Sequence, residues 1–120
     1  MTQYSTFVLG ILFSALLEVT VAFSGPIDPA RHPEEAKAVH EAEHTVDHAW
    51  EVYHRAALGG TVASPALQAD IEQHLHEARI LVTQAQEAAE HGDKRQVERL
   101  VRQIRIHTSQ AIEGSKEQKK

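Results

Sequence analysis

The chain has no cysteine, and Met1 is the only methionine among its 120 residues. Without cysteine it cannot form disulfides, thiolate metal sites, iron–sulfur clusters or a covalent c-type haem attachment. Without a second methionine it cannot form a haem site with His and Met ligands. Any fold must therefore be held together by packing alone.

Aromatic residues and strand signals are also scarce. There is one Trp, two Tyr and three Phe, so the core must consist mainly of Leu, Ile, Val and Ala. Neither alternating apolar and polar runs nor Asn-Gly turns occur, which argues against β-strands. The formal net charge is −5 and no basic patch stands out, so we expect no nucleic-acid partner.

Histidine is the residue present in excess, with nine copies. It is the commonest metal ligand in proteins and the only side chain that ordinarily changes charge near neutral pH. An abundance of histidine in a chain without cysteine points to nitrogen and oxygen ligands for metal ions.

Residues 1–24 have the pattern of a signal peptide. An apolar run spans residues 7–23, and Ala22 and Ser24 suit cleavage after Ser24. Glu18 and the short run argue against a permanent membrane span, although the segment before the run lacks Lys and Arg. We expect a periplasmic or otherwise exported protein with no stable membrane insertion after cleavage. The alternatives are an uncleaved anchor or an ordinary amphipathic helix.

The remaining chain predicts an all-α fold, a small antiparallel bundle of three helices over residues 33–114. A proline-containing linker at residues 25–32 precedes it. The first helix covers 33–58, the second runs from Pro65 to about His91, and the third from Lys94 to about Glu113. Ser64 and Asp93 are the expected N-caps, and Asp93 with Gln96 forms a capping-box pattern. Gly114 should end the last helix, leaving a flexible tail at residues 115–120. We expect a monomer or weak dimer, and a four-helix-like bundle if the N-terminal segment is retained.

A stripe of histidines on the first helix is the leading metal-site candidate. His40, His44 and His48 follow one another at four-residue steps, and Asp47 and Glu51 fall in the same stripe. These histidines lie roughly 120–160° around the axis from the apolar face, on the solvent side. Paired imidazoles with a carboxylate suit copper or nickel best, with zinc, cobalt or iron as further possibilities. The alternative is a solvated helix face that happens to contain histidine.

The later helices supply weaker candidates. Asp70, His74 and Glu77 repeat the spacing beside the apolar face of the second helix, where they could face a groove between helices. His76 forms an outer pair with Glu72, while His91 and His107 are added as possible ligands. Each has an alternative explanation. His74 could form a surface ion pair, and His91 could cap the helix C-terminus. His107 could be a boundary histidine with one buried edge.

No pattern indicates catalysis, so we expect a protein that is not an enzyme. There is no nucleophile elbow and no glycine-rich phosphate loop. A di-iron site requires Glu-x-x-His motifs on two helices. Here Glu41 with His44 and Glu51 with His54 both lie on the first helix.

The segments EAKAVHEAEHTVDHA and EAAEHGDKRQVERLVRQIRIHTSQA resemble the small metal-binding protein (SmbP) family of short, exported, histidine-rich helical bundles. The resemblance covers residues 34–113 and implies binding of several divalent metals, copper and nickel among them, with a role in metal buffering, scavenging or tolerance. It rests by position on a set of six histidines: His40, His44, His48, His74, His91 and His107. Gln103 and Gln110 depart from the histidines expected on the third helix, and this helix is rich in Arg, so we expect fewer ions per chain. The alternative function is an exported protein-interaction module with pH-responsive histidines and no metal role.

Overall fold

The computed structural model describes residues 31–117. Three α-helices make up this part of the chain: α1 at Pro33–Leu58, α2 at Pro65–Glu90 and α3 at Lys94–Lys116. No strand occurs among the described residues, and the predicted all-α bundle is confirmed. The predicted signal peptide and the linker up to residue 30 lie outside the described residues, as do residues 118–120.

The helices begin where the sequence supplies capping groups. Proline occupies the first turn of α1 and α2, where its missing N–H costs no hydrogen bond. The Ser64 hydroxyl accepts the Leu67 N–H at 3.1 Å, and the Asp93 carboxylate accepts the Gln96 N–H at 3.1 Å. Only half of the predicted capping box forms, because the Gln96 side chain accepts from Arg99 instead.

The predicted end of the third helix at Gly114 is wrong, because α3 continues to Lys116. A Cβ on Gly114 would lie 2.9 Å from Cγ1 of Ile71, so this glycine lets α3 approach α2 closely. The next residue, Ser115, is buried, and its hydroxyl donates to the Ala111 carbonyl at 2.7 Å. The predicted flexible tail therefore begins within the helix.

Contacts across the bundle confirm antiparallel neighbours. Along α1, Glu43 precedes Tyr53, but their partners on α2 come in reverse order: Glu43 bonds to Gln86 and Tyr53 to Glu72. The glycine Gly92, with φ of +68°, turns the chain from α2 into α3. α1 and α3 then run parallel, and Lys94 lies 3.8 Å from Glu34 where both helices begin.

The core consists of two clusters along the bundle. The larger cluster includes Val39, Val46, Ala78, Val82, Ala85, Val97, Leu100, Val101 and Ile104. The smaller includes Ala49, Tyr53, Val62, Ile71, Leu75 and Ala111. Trp50 packs against both clusters. Alanine fills many positions where helices face one another, which allows close approach.

Hydropathy along the three helices is too low for membrane crossing. Among residues 31–117, no helix combines the length and apolar character that a bilayer span requires.

Candidate metal site

Two histidines of the predicted stripe face each other on the outer surface of α1. The Nε2 atoms of His40 and His44 are 3.1 Å apart, and both side chains are exposed. One nitrogen donates a proton and the other accepts it, so the contact requires at least one neutral imidazole. On the other side of the His40 ring, Nδ1 lies 3.9 Å from a carboxylate oxygen of Glu43. Glu43, three residues from His40, was missed in the sequence, although its spacing places it on the same face.

The two acids of the stripe lie beside arginine. Asp47 is 3.6 Å from Arg79 of α2, and Glu51 bonds to Arg55 at 2.6 Å. His48 is exposed one turn beyond His44. The structure therefore brings together His40 and His44, with Glu43 beside them, and leaves the rest of the stripe dispersed.

A second histidine pair joins α2 to α3. Nδ1 of His74 lies 3.0 Å from Nδ1 of His107, and Nε2 of His74 lies 3.6 Å from a carboxylate oxygen of Asp70. The His74 side chain is 23% exposed, so this pair is partly sheltered. It borders an open pocket of about 470 Å³ lined in part by Asp70, His74 and Glu113. His74 lines this pocket, so solvent and ions can reach its side of the pair.

The fold explains why residues 33 positions apart meet. The turn at Gly92 folds α3 back along α2, so a residue well before the turn lies level with one a similar distance after it. His74 and His107 both flank the buried faces of their helices. Counting equal numbers of residues outward from the His91-Gly92 turn would have placed His107 level with His76, so the sequence locates the contact only to within two residues.

The nitrogen separations fit the requirement for chelating one ion. Metal–nitrogen bonds to histidine are about 2.0–2.1 Å long. Two such bonds at 90–110° place the nitrogens about 2.8–3.4 Å apart. The observed 3.1 Å and 3.0 Å fall in this range. Within residues 31–117, however, no group of three or more His, Cys, Asp or Glu side chains converges on one point. Each pair would thus contribute two nitrogens, and water would complete the coordination.

The other predicted ligands lie apart from these pairs. His76 packs edge-on against Trp50, with ring centroids 5.4 Å apart, and Glu72 accepts from Tyr53 rather than pairing with His76. Nδ1 of His91 lies 2.7 Å from the Glu87 carbonyl oxygen, as expected of a helix C-cap. Glu77 is exposed on α2.

Trp50 lies at the centre of an aromatic and cationic cluster between α1 and α2. His54 lies 5.3 Å from Trp50 between ring centroids, and the Arg79 guanidinium lies 5.4 Å from the Trp50 ring centroid. The indole Nε1 is buried without a hydrogen-bond partner among the described residues. His54 and His76 therefore pack around Trp50, and the two histidine pairs are the better candidates for metal ligands.

Comparison of the chain with protein-family models, with curated proteins and with solved structures finds no match.

Proposed function

We propose that this protein binds divalent transition metal ions, copper or nickel foremost, and buffers or scavenges them. The observation that carries the proposal is the pair of close histidine contacts, His40 with His44 and His74 with His107, whose nitrogens are 3.1 Å and 3.0 Å apart. The resemblance to the small metal-binding protein family points in the same direction, and so does the predicted export of the chain.

The two pairs differ in how they would hold a metal ion. His40 and His44 lie on one exposed helical turn, so binding there requires only that this turn be helical. His74 and His107 come from different helices, so they form a pair only in the folded bundle. Asp70 lies 3.6 Å from Nε2 of His74, whereas the contact with His107 uses Nδ1, so Asp70 would orient the His74 ring by accepting the Nε2 proton.

Because each ion would have only two protein ligands, we expect bound metal to exchange readily with metal in solution. Two imidazoles with water in the remaining positions bind less tightly than a closed site of four protein ligands. Readily exchanged metal suits a buffer, because ions must be taken up and released.

Calorimetric titration of Cu(II) and Ni(II) into the protein tests the proposal. We expect at least two binding events, with one lost in His40→Gln/His44→Gln and another lost in His74→Gln/His107→Gln. His54→Gln/His91→Gln is the matched control, because it also removes two histidines but neither close pair. Equal losses in all three double variants, or no binding of either metal at millimolar concentration, would contradict the proposal. The protein-interaction alternative predicts indifference to both metals.

A further inference from the structure

The outer face of α3 carries a dense row of arginines. Arg95, Arg99, Arg102 and Arg105 lie within eleven residues, and all four are exposed. Steps of four and three residues align the first three with Ile106, which is 57% exposed. We call these five residues the α3 basic face. Arg95, Arg99, Arg102 and Ile106 lie opposite the buried positions of α3, and Arg105 lies on the flank of this face.

Charge is strongly segregated among the helices. α3 has six Lys and Arg residues and two Glu, whereas α1 has two basic and six acidic residues. α2 is similarly acidic, with one Arg and five Asp or Glu residues. The overall charge of −5 conceals this arrangement, so the expectation from sequence that no basic patch stands out does not hold for α3.

The arginine charges are available for an external partner. Among residues 31–117, the ion pairs involve Arg55, Arg79 and Lys94 and none of the arginines of the α3 basic face. Arg99 bonds to the neutral Gln96 side chain. Glu98 is the one acidic residue between positions 94 and 112. These charges therefore stabilise little within the bundle.

The shape of the basic face favours an extended partner. It is a ridge on a single helix, about 16 Å long at 1.5 Å per residue, with no concave wall to enclose a small anion. Guanidinium groups bind phosphate through paired N–H donors, and an exposed isoleucine among them can enter an apolar layer. A membrane surface of anionic phospholipids offers both features over such a length.

We propose that the α3 basic face binds the surface of a membrane rich in anionic phospholipid. The acidic helices do not prevent this, because helix axes pack 8–10 Å apart and the Debye length at physiological salt is about 8 Å. With α3 on the lipid, much of the acidic charge of α1 and α2 lies farther away and is largely screened. This interaction does not depend on metal binding.

Co-sedimentation of the full chain with vesicles tests the proposal, using phosphatidylcholine alone and an equimolar mixture with phosphatidylglycerol. Each basic residue near an anionic surface contributes roughly a fivefold factor in affinity. The variant Arg99→Gln/Arg102→Gln/Arg105→Gln should therefore lose roughly 100-fold in affinity for the anionic vesicles. The matched control Arg31→Gln/Lys37→Gln/Arg55→Gln changes the net charge equally, and it should retain most of the binding.

The apolar run at residues 7–23 is the same in every variant, so the comparison between variants isolates the α3 charges. Wild-type binding to anionic vesicles should also weaken steeply as salt rises from low to physiological concentration. Equal losses in the two triple variants, equal binding to both vesicle types or binding insensitive to salt would overturn the proposal. Tighter binding to duplex DNA than to vesicles at equal phosphate concentration would also overturn it, because the partner would then be a nucleic acid.

Discussion

Tyr53 shows how a single residue joins the core to a polar contact. Tyr53 is 3% exposed in the smaller core cluster, while its hydroxyl donates to the Glu72 carboxylate at 2.5 Å. Burial, together with the hydrogen bond and negative charge of Glu72, raises the pKa of Tyr53 to about 12. The contact also explains why Glu72 does not pair with His76, because its carboxylate accepts from the Tyr53 hydroxyl.

The raised pKa makes stability depend on alkaline pH. The folded protein holds the Tyr53 proton more tightly than the unfolded chain, whose tyrosine pKa is 10.0. The stabilisation is thus complete below pH 10 and is lost as pH rises through about 12. We predict that the free energy of unfolding falls over this interval more steeply in the wild type than in Tyr53→Phe.

Urea denaturation followed by circular dichroism at a series of pH values measures this difference. At neutral pH, Tyr53→Phe should cost about 1 kcal/mol, because Glu72 is half-exposed and regains water when the hydroxyl is removed. Lysines and arginines titrate alike in both proteins, so their effects cancel. Parallel pH profiles would show that Tyr53 is not the group responsible.

At the scale of the helix, Gly114 sets the distance between α2 and α3. Alanine usually stabilises a helix by about 1 kcal/mol relative to glycine. Here an added Cβ would meet Ile71, so we predict that Gly114→Ala instead destabilises the protein by about 1–3 kcal/mol. Chemical denaturation of the single variant measures the sign of the change.

A double-mutant cycle identifies the cause. Ile71→Ala removes the side-chain atoms that the new methyl group would meet, so Gly114→Ala should cost little or become stabilising in that background. If the two substitutions are simply additive, the close approach at Ile71 is not what Gly114 provides.

Helix existence and most helix ends could be predicted because local chemistry determines them. Pro33, Pro65, Ser64 and Asp93 mark the helix starts, and the observed caps at Ser64 and Asp93 follow from side-chain hydrogen bonds within three residues. The end of α3 could not be predicted in this way. A glycine that ends a helix and one that allows close packing look alike until the neighbouring helix is in place.

Buried polar residues and contacts between helices were harder to predict for a related reason. Thr108 and Ser115 are buried, since each hydroxyl donates to a carbonyl of its own helix and costs little to bury. The histidine stripe of α1 was visible because its period is local. The pairing of His74 with His107 depends on the register between α2 and α3, which hydrophobic periodicity alone does not give.

At the scale of the whole molecule, the bundle is one structure with two core clusters connected by Trp50. The described helices pack pairwise, and the His74–His107 contact spans two of them. An ion bound at this contact would hold α2 against α3 and, through the shared core, oppose unfolding of the bundle. An ion at His40 and His44 would bridge one helical turn only.

The most direct test of the metal-binding proposal is thermal unfolding with and without Ni(II), because it shows which pair couples metal to the fold. A ligand present at 100 times its dissociation constant stabilises the folded state by about 2.7 kcal/mol if it binds only that state. For a domain of this size, such a gain corresponds to roughly 10 °C or more in Tm. We predict that Ni(II) raises the Tm of the wild type and of His40→Gln/His44→Gln, and that the rise is clearly smaller in His74→Gln/His107→Gln, where the remaining ion bridges only one turn of α1. An undiminished rise in His74→Gln/His107→Gln, or no rise in the wild type, would contradict the account.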